Sequence, residues 1–307
     1  MIFRETGAVR DGLHILGSRD VPIYLLQAKK NVLFDAGISK LGKIYVEEIR
    51  AILGKAEPEM LFLTHMHFDH CGTVSYLKRN FPALKIAASR KASEIIKKPG
   101  AIKNIQALSE NAAAALTAVD QSRLLDLPFE PFEVDIVLDD GDVIELEDGL
   151  TVRAITTPGH TWDFLSYYIP EKKILIVSEA GGCTEYQGMI STACLTDFSV
   201  YLDSLKRLAS FDVDILCQGH RSVCLDEDAK SFIRRSIETA LNFKTMVREF
   251  WAAEGADAGR VMARVKEVEY DPIPLPKQPE PAYLANLDAR VKSIVNYLGL
   301  ESKVSPE

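Results

Sequence analysis

Met60-Leu61-Phe62-Leu63-Thr64-His65-Met66-His67-Phe68-Asp69-His70-Cys71-Gly72 is the stretch on which the reading of this chain turns. A strand-length apolar run leads straight into a segment that holds three of the chain's six histidines within six residues, with an aspartate among them. In an extended segment leaving a strand, side chains two apart face the same way. His65 and His67 can therefore bind one metal ion while the turning chain presents Asp69 and His70 to a second. Imidazole nitrogen and carboxylate oxygen together suit a divalent metal of borderline hardness.

Because histidine is scarce, the other three are informative. His160 stands in Thr157-Pro158-Gly159-His160-Thr161 after an apolar strand pattern at 150–155, and His220 stands in Gln218-Gly219-His220 after another at 213–217. Each lies just past a strand end and follows a glycine that lets the backbone turn sharply, where sheet-based enzymes carry their functional loops. His14 falls inside an N-terminal strand and reads as an ordinary structural residue. Cys71 is read as a buried apolar side chain, not as a nucleophile or ligand.

Working outward, the short apolar runs Leu13–Leu16, Ile23–Leu26, Val32–Phe34 and Met60–Leu63 are bounded by turn residues and predict strands. Ile44, Val46, Ile49 and Ile52-Leu53 predict a helix over 40–53, and Leu84–Ala88 another strand. A mainly helical stretch follows over about 90–124, broken at Pro99-Gly100 and containing the helix-forming run Ala112–Ala115. Residues 139–146 and 150–155 predict a hairpin about Glu147-Asp148-Gly149, with strands at 165–169, 174–177 and 213–217 and a helix at 199–209. Two β-rich halves with helices imply an α/β fold of two sheets packed face to face under outer helices.

After residue 226 the character changes. Ile233, Ile237 and Leu241, continued by Phe243, Val247 and Phe250, predict a long amphipathic helix; Val261, Val265 and Val268 predict a shorter one. Residues 271–281 hold five prolines in eleven positions and predict an extended arm, followed by a final helix carrying Leu284, Leu287, Val291, Ile294, Val295 and Leu298. The expected organisation is a domain over 1–225 with a helical extension over 226–307 packed on it as a cap. Those helices would wall an acyl tunnel or form a homodimer interface.

Composition narrows the function. The 307 residues are 47% hydrophobic and 26% charged with a net charge of −8, which argues against disorder and against general nucleic-acid binding. No apolar stretch is long enough to span a membrane, and Met1–Gly7 has no secretory apolar core, so the expected location is the cytoplasm. Five widely spaced cysteines without a CxxC pair predict neither a disulfide framework nor a cysteine-rich zinc site.

His-x-His-x-Asp-His at 65–70, Pro-Gly-His-Thr at 158–161, Gly219-His220 and the upstream Phe34-Asp35-Ala36-Gly37 together resemble the metallo-β-lactamase superfamily over about residues 10–225. The resemblance implies an αββα sandwich with two divalent metal ions, zinc first and iron or manganese as alternatives. His65, His67 and His160 would hold one ion, and Asp69, His70 and His220 the other. Asp35 would orient a ligand histidine from behind. Where the family carries a bridging aspartate this chain has Glu179, which would bridge the ions, bind one of them, or leave the second weakly held.

The implied reaction is hydrolysis by a metal-bound hydroxide, with Asp69 both ligating and aiming that hydroxide. Val21–Leu26, Gly37-Ile38-Ser39, the 201–208 helix and the helical C-terminus are similar to the thioesterase branch that acts on 2-aminobenzoylacetyl-CoA in alkylquinolone biosynthesis. That implies a small, anionic, CoA-like acyl thioester as substrate. Lactone or phosphodiester hydrolysis on the same site, or a metal-bound ligand sensor with weak catalysis, are the alternatives. Arg90, Lys91, Lys97, Lys98 and Lys103 read first as a solvated helix face and second as a phosphate-binding surface.

Overall fold

The structure is a computed structural model that describes residues 1–112, 119, 121–147, 149–185, 188–275 and 277–300. The elements begin with β1 (Ile2–Phe3), β2 (Gly7–Arg10), β3 (Leu13–Ser18), β4 (Val21–Leu26), β5 (Asn31–Phe34), α1 (Gly42–Leu53) and β6 (Pro58–Phe62). The short α2 (Phe68–Cys71) and α3 (Val74–Asn80) lead to β7 (Lys85–Ser89), α4 (Arg90–Ile95), α5 (Pro99–Ala112) and β8 (Ile136–Leu138). Next come β9 (Val143–Glu147), β10 (Leu150–Thr156), β11 (Leu165–Ile169), β12 (Ile174–Ile176), β13 (Cys183–Thr184), β14 (Ile190–Ser191) and α6 (Phe198–Leu208). The chain continues with β15 (Ile215–Cys217), β16 (Val223–Leu225), α7 (Glu227–Ala253), α8 (Ala258–Glu269) and α9 (Glu280–Tyr297).

The chain forms two compact units. The first comprises Met1–Thr156, Asp163–Ser178 and Asp212–Lys230; the second comprises Thr157–Trp162, Glu179–Phe211 and the chain from Ser231 onward. Among the described residues, the first unit holds two seven-stranded sheets, ordered β2-β3-β4-β5-β6-β7-β8 and β1-β16-β15-β12-β11-β10-β9. In the former, β2 to β5 pair antiparallel and β5 to β8 parallel. In the latter every pair is antiparallel except β12 with β15.

Period-two alternation explains the layering. Leu13, Ile15, Tyr24, Leu26, Phe34 and Phe62 point between the sheets and meet Val152, Tyr167, Ile169, Ile174 and Ile176. Intervening residues such as Leu16, Ile23, Leu25, Leu33 and Leu61 point the other way, onto Ile44 and Ile49 of α1 and Leu77 of α3. The parallel strands are covered on both faces, which is why β5 is buried along its whole length. Phe34 and Phe62 stack with centroids 5.4 Å apart, and Tyr167 tilts against both at 5.7 and 5.2 Å. This aromatic group lies directly under the ends of β5 and β6.

The second unit carries the β13–β14 hairpin, α6, α8, α9 and most of α7. Asp197 caps α6 by accepting from Val200 N at 3.0 Å. The expected long and short C-terminal helices are α7 and α8, and the expected helix at 199–209 is α6.

Two expectations are modified. Strands β1, β2, β8 and β16 and the β13–β14 hairpin, two to four residues long, were not foreseen. The proline-rich arm ends earlier than expected, because Glu280 and Pro281 open α9, where the first-turn N–H groups need no helical partner. Of the other expectations, Ala113–Ala115, Asp148, Pro276 and residues 301–307 lie outside the described residues.

Candidate metal centre

The first unit gathers five ligand-type side chains at strand ends. Asp35 follows β5, and Thr64 to Gly72 follow its parallel neighbour β6. His220 sits in the turn between β15 and β16. Ligand atoms of Asp69, His70 and His220 all lie within 4.8 Å of one another. Asp69 Oδ2 is 3.9 Å from His70 Nε2 and 3.7 Å from His220 Nε2. A tetrahedral zinc with bonds of about 2.0–2.1 Å places its ligands roughly 3.3–3.4 Å apart, so a slight contraction about an ion suffices. His65 packs its ring against His67 at 4.5 Å and against His70 at 4.4 Å.

The imidazoles are oriented by what their other nitrogens do. His70 Nδ1 is 2.9 Å from Asp35 Oδ2, and His220 Nδ1 is 2.6 Å from the Asp20 carbonyl. Carbonyl and carboxylate oxygens only accept, so each Nδ1 carries the proton and each Nε2 is left with a lone pair. Thr64 extends the same logic to His65. Its hydroxyl lies 2.9 and 3.0 Å from the two Asp35 oxygens and donates there, so its oxygen accepts from His65 Nδ1 at 3.0 Å. Asp35 also accepts from Thr64 N at 2.8 Å. One buried carboxylate thus fixes two imidazoles, as the sequence reading expected of Asp35 for one.

The loop is built for this arrangement. Asp35 adopts φ +60°, outside the ordinary range for an L residue, and its backbone N–H donates to Phe62 O at 2.9 Å. Gly72 N donates to Gly37 O at 2.7 Å, and a Cβ at Gly72 would lie 2.6 Å from that same oxygen and from Ser39 N. Here glycine is required by close approach of backbone.

His160 and Glu179 belong to the second unit. His160 is buried, and its Nδ1 is 2.7 Å from Ala193 O, so this imidazole too presents Nε2. Gly159 has φ +132°, and a Cβ there would lie 2.4 Å from Tyr201 Cα, pinning the Pro-Gly-His turn against α6. Thr196 Oγ1 donates to Gly159 O at 2.9 Å and Ser204 Oγ to Pro158 O at 2.7 Å. Glu179 is 3% exposed, in the turn after β12. A carboxylate so far out of water requires a compensating partner.

Cys71 is fully buried, and burial, followed by the negative charges of Asp69, Asp163 and Asp35, pushes its thiol well above the usual range. That environment opposes formation of the thiolate, the reactive form of a cysteine. His14 bonds Gln27 Oε1 at 2.7 Å on β3, a structural role. Arg90 pairs with Asp139 at 2.9 Å. The residues that sequence reading missed are Thr64 and Asp163. The second accepts from Met66 N at 2.8 Å and betrays itself only as a lone acid between Trp162 and Phe164.

The model of the Metallo-beta-lactamase superfamily matches residues 16–220. The chain belongs to this superfamily. Its members are mostly divalent-metal hydrolases, and this member carries clusters of His, Asp and Glu side chains that could bind metal. The chain is similar to the atrochrysone carboxyl ACP thioesterase of Aspergillus fumigatus, at 24% identity over 80% of this chain and 66% of that protein. It is also similar to the Bacillus subtilis "Probable metallo-hydrolase YflN", at 23% identity over 68% of this chain and 83% of that one. The chain thus spans just under two thirds of the thioesterase's length. A solved beta-lactamase domain protein from Burkholderia ambifaria shares the fold with a TM-score of 0.69 at 16% identity, covering 96% of this chain and 88% of that one. Among the described residues no helix is long and apolar enough to cross a membrane.

Proposed function

We propose that this superfamily member is a two-metal hydrolase of acyl thioesters, with zinc as the metal and a small anionic thioester, of the CoA or carrier-protein kind, as substrate. The observation that carries the metal chemistry is the set of four imidazoles whose Nδ1 atoms are committed to protein acceptors, leaving Nε2 for ligation. Thioester preference rests on the likeness to a protein named as a thioesterase. In this reading His65, His67 and His160 hold one ion, and Asp69, His70 and His220 the other. Glu179 supplies the carboxylate that the family takes from aspartate.

When bound, the ions supply Lewis acidity, bringing water to a near-neutral pKa and polarising the acyl carbonyl. The partly buried Asp69 carboxylate accepts a hydrogen bond from the attacking water and orients it toward the acyl carbon. Asp35 and Thr64 keep His70 and His65 from rotating as charge develops. Water adds to the carbonyl, the C–S bond breaks, one proton of the water goes to the leaving sulfur and the other to solvent, and the products are a carboxylate and a thiol.

The test is purified protein with a measured zinc content, assayed on acyl-CoA, acyl-carrier-protein and glutathione thioesters beside lactones and phosphodiesters. The expected result is the highest kcat/KM on a thioester, lost on chelation and restored by zinc. Fully loaded protein that leaves every thioester intact while cleaving a lactone or phosphodiester refutes the substrate assignment. A Glu179→Asp variant that gains hydrolysis over a sluggish wild type would favour the sensor reading instead.

A further inference from the structure

We propose that Asp163 and Phe164 are positioning residues that hold His65 and His67 in ligating geometry, a role that rests on the metal reading above. The segment entering β11 is matched step by step to the loop leaving β6, and all of it lies in the first unit. Tyr167 Oη donates to Leu63 O at 2.6 Å, and Leu165 N donates to Thr64 O at 2.8 Å. The Phe164 ring stacks on the His65 ring, with centroids 4.5 Å apart and planes 19° from parallel. Asp163 Oδ2 accepts from Met66 N at 2.8 Å. One set of numbers falls as the other rises, so the contacts form an antiparallel clamp along four consecutive residues of the loop.

The last two contacts act on the histidines. The Met66 amide is the link between His65 and His67, so tying it to a buried carboxylate fixes the backbone from which both side chains spring. Phe164 covers one face of the His65 imidazole and sets its plane, while Thr64 Oγ1 sets which nitrogen points away. Together they order the ring before an ion arrives, so that binding does not have to meet that cost. The hydrogen bond requires an acceptor at residue 163, which asparagine also provides and alanine does not.

The experiment uses the full chain and reads metal binding, not turnover: zinc affinity by chelator competition and the visible absorption of the cobalt(II)-substituted protein. Asp163→Ala is expected to weaken zinc binding by about 10–100-fold and to shift the cobalt bands, with Asp163→Asn restoring both. Phe164→Leu, which keeps apolar bulk but not the flat face, is expected to shift the cobalt bands in the same direction. Wild-type affinity in Asp163→Ala would overturn the proposal. An asparagine variant as weak as the alanine one would also overturn it, by assigning the effect to charge. Should Asp163→Ala not fold, an unchanged cobalt spectrum in Phe164→Leu overturns it equally. A wild-type chain that takes up no divalent ion defeats the metal reading itself, whereas zinc uptake without thioester cleavage defeats only the substrate assignment.

Discussion

Asp35→Asn is the substitution whose effect can be worked most fully from the geometry. The carboxylate serves three donors: Oδ1 receives Thr64 N and Thr64 Oγ1, and Oδ2 receives His70 Nδ1. An asparagine has one acceptor oxygen, which can keep the two Thr64 bonds, and it then turns an NH2 group toward His70 Nδ1–H. Two donors face each other. Either the bond is lost, or the His70 proton moves to Nε2 and removes the lone pair an ion would use. A hydrogen bond to a buried charged group contributes about 1.5–3 kcal/mol. At about 1.4 kcal/mol per tenfold, that range corresponds to roughly one to two decades of metal affinity, in agreement with the 10–100-fold found when groups behind metal ligands are altered. The assay is zinc titration against a chromophoric chelator, beside ¹⁵N NMR of the histidine side chains in the metal-free chain. Wild-type zinc affinity with the His70 proton still on Nδ1 would refute the reasoning. The Thr64 link to His65 is preserved in this variant, so the loss is expected at the ion His70 holds.

Further outcomes follow from other contacts. Gly72→Ala places a methyl 2.6 Å from Gly37 O and Ser39 N and 2.7 Å from Phe68 O, all backbone atoms. It is expected to cost about 1–3 kcal/mol in urea unfolding and to weaken zinc binding; an unaltered midpoint would contradict this. Burial raises the Glu48 carboxyl above its usual range, against the opposing pull of the Gly17 N–H. A group whose folded pKa is raised contributes stability below its unfolded pKa and loses it as pH rises through the folded one. Glu48→Gln, which keeps an acceptor for Gly17, should therefore raise Tm at neutral pH and lose that advantage below about pH 4; a pH-independent difference would count against it. Burial also pushes the Cys194 thiol up to about 11, and raises Cys71 and Cys217 well above the usual range. Iodoacetamide near pH 8 should label the half-buried Cys183 first and reach the other four cysteines, all buried, only on unfolding, as peptide mapping would show.

What was legible in the sequence, and what was not, divides along physical lines. Strands such as β3 and β4 announce themselves as apolar runs bounded by turn residues, and helices such as α1 and α7 because their apolar residues repeat at the helical period. Strands β1 and β16 do not, because their pairing Ile2↔Cys224 is a contact across nearly the whole domain that no local pattern signals. The site histidines were legible through side-chain type and placement after strand ends. Their orienting partners were only partly so: Asp35 stands in a recognisable string, but the Asp20 and Ala193 carbonyls are backbone atoms that any residue would provide. Asp163 was silent for a related reason. Its job is to accept one amide N–H, and the sequence around it says nothing of which amide.

The clamp between β11 and the loop after β6 ties the candidate ligands His65 and His67 to the register of the two sheets. β6 belongs to one sheet and β11 to the other, and Tyr167 joins both the loop and the aromatic packing between them. Sliding one sheet over the other by even part of a residue would drag Met66 away from Asp163 and uncover His65. On the proposed two-metal reading, ion occupancy is thereby a gauge of how the layers are seated. Substitutions deep between the sheets, remote from any ligand atom, should change metal binding in proportion to how far they let the layers slip.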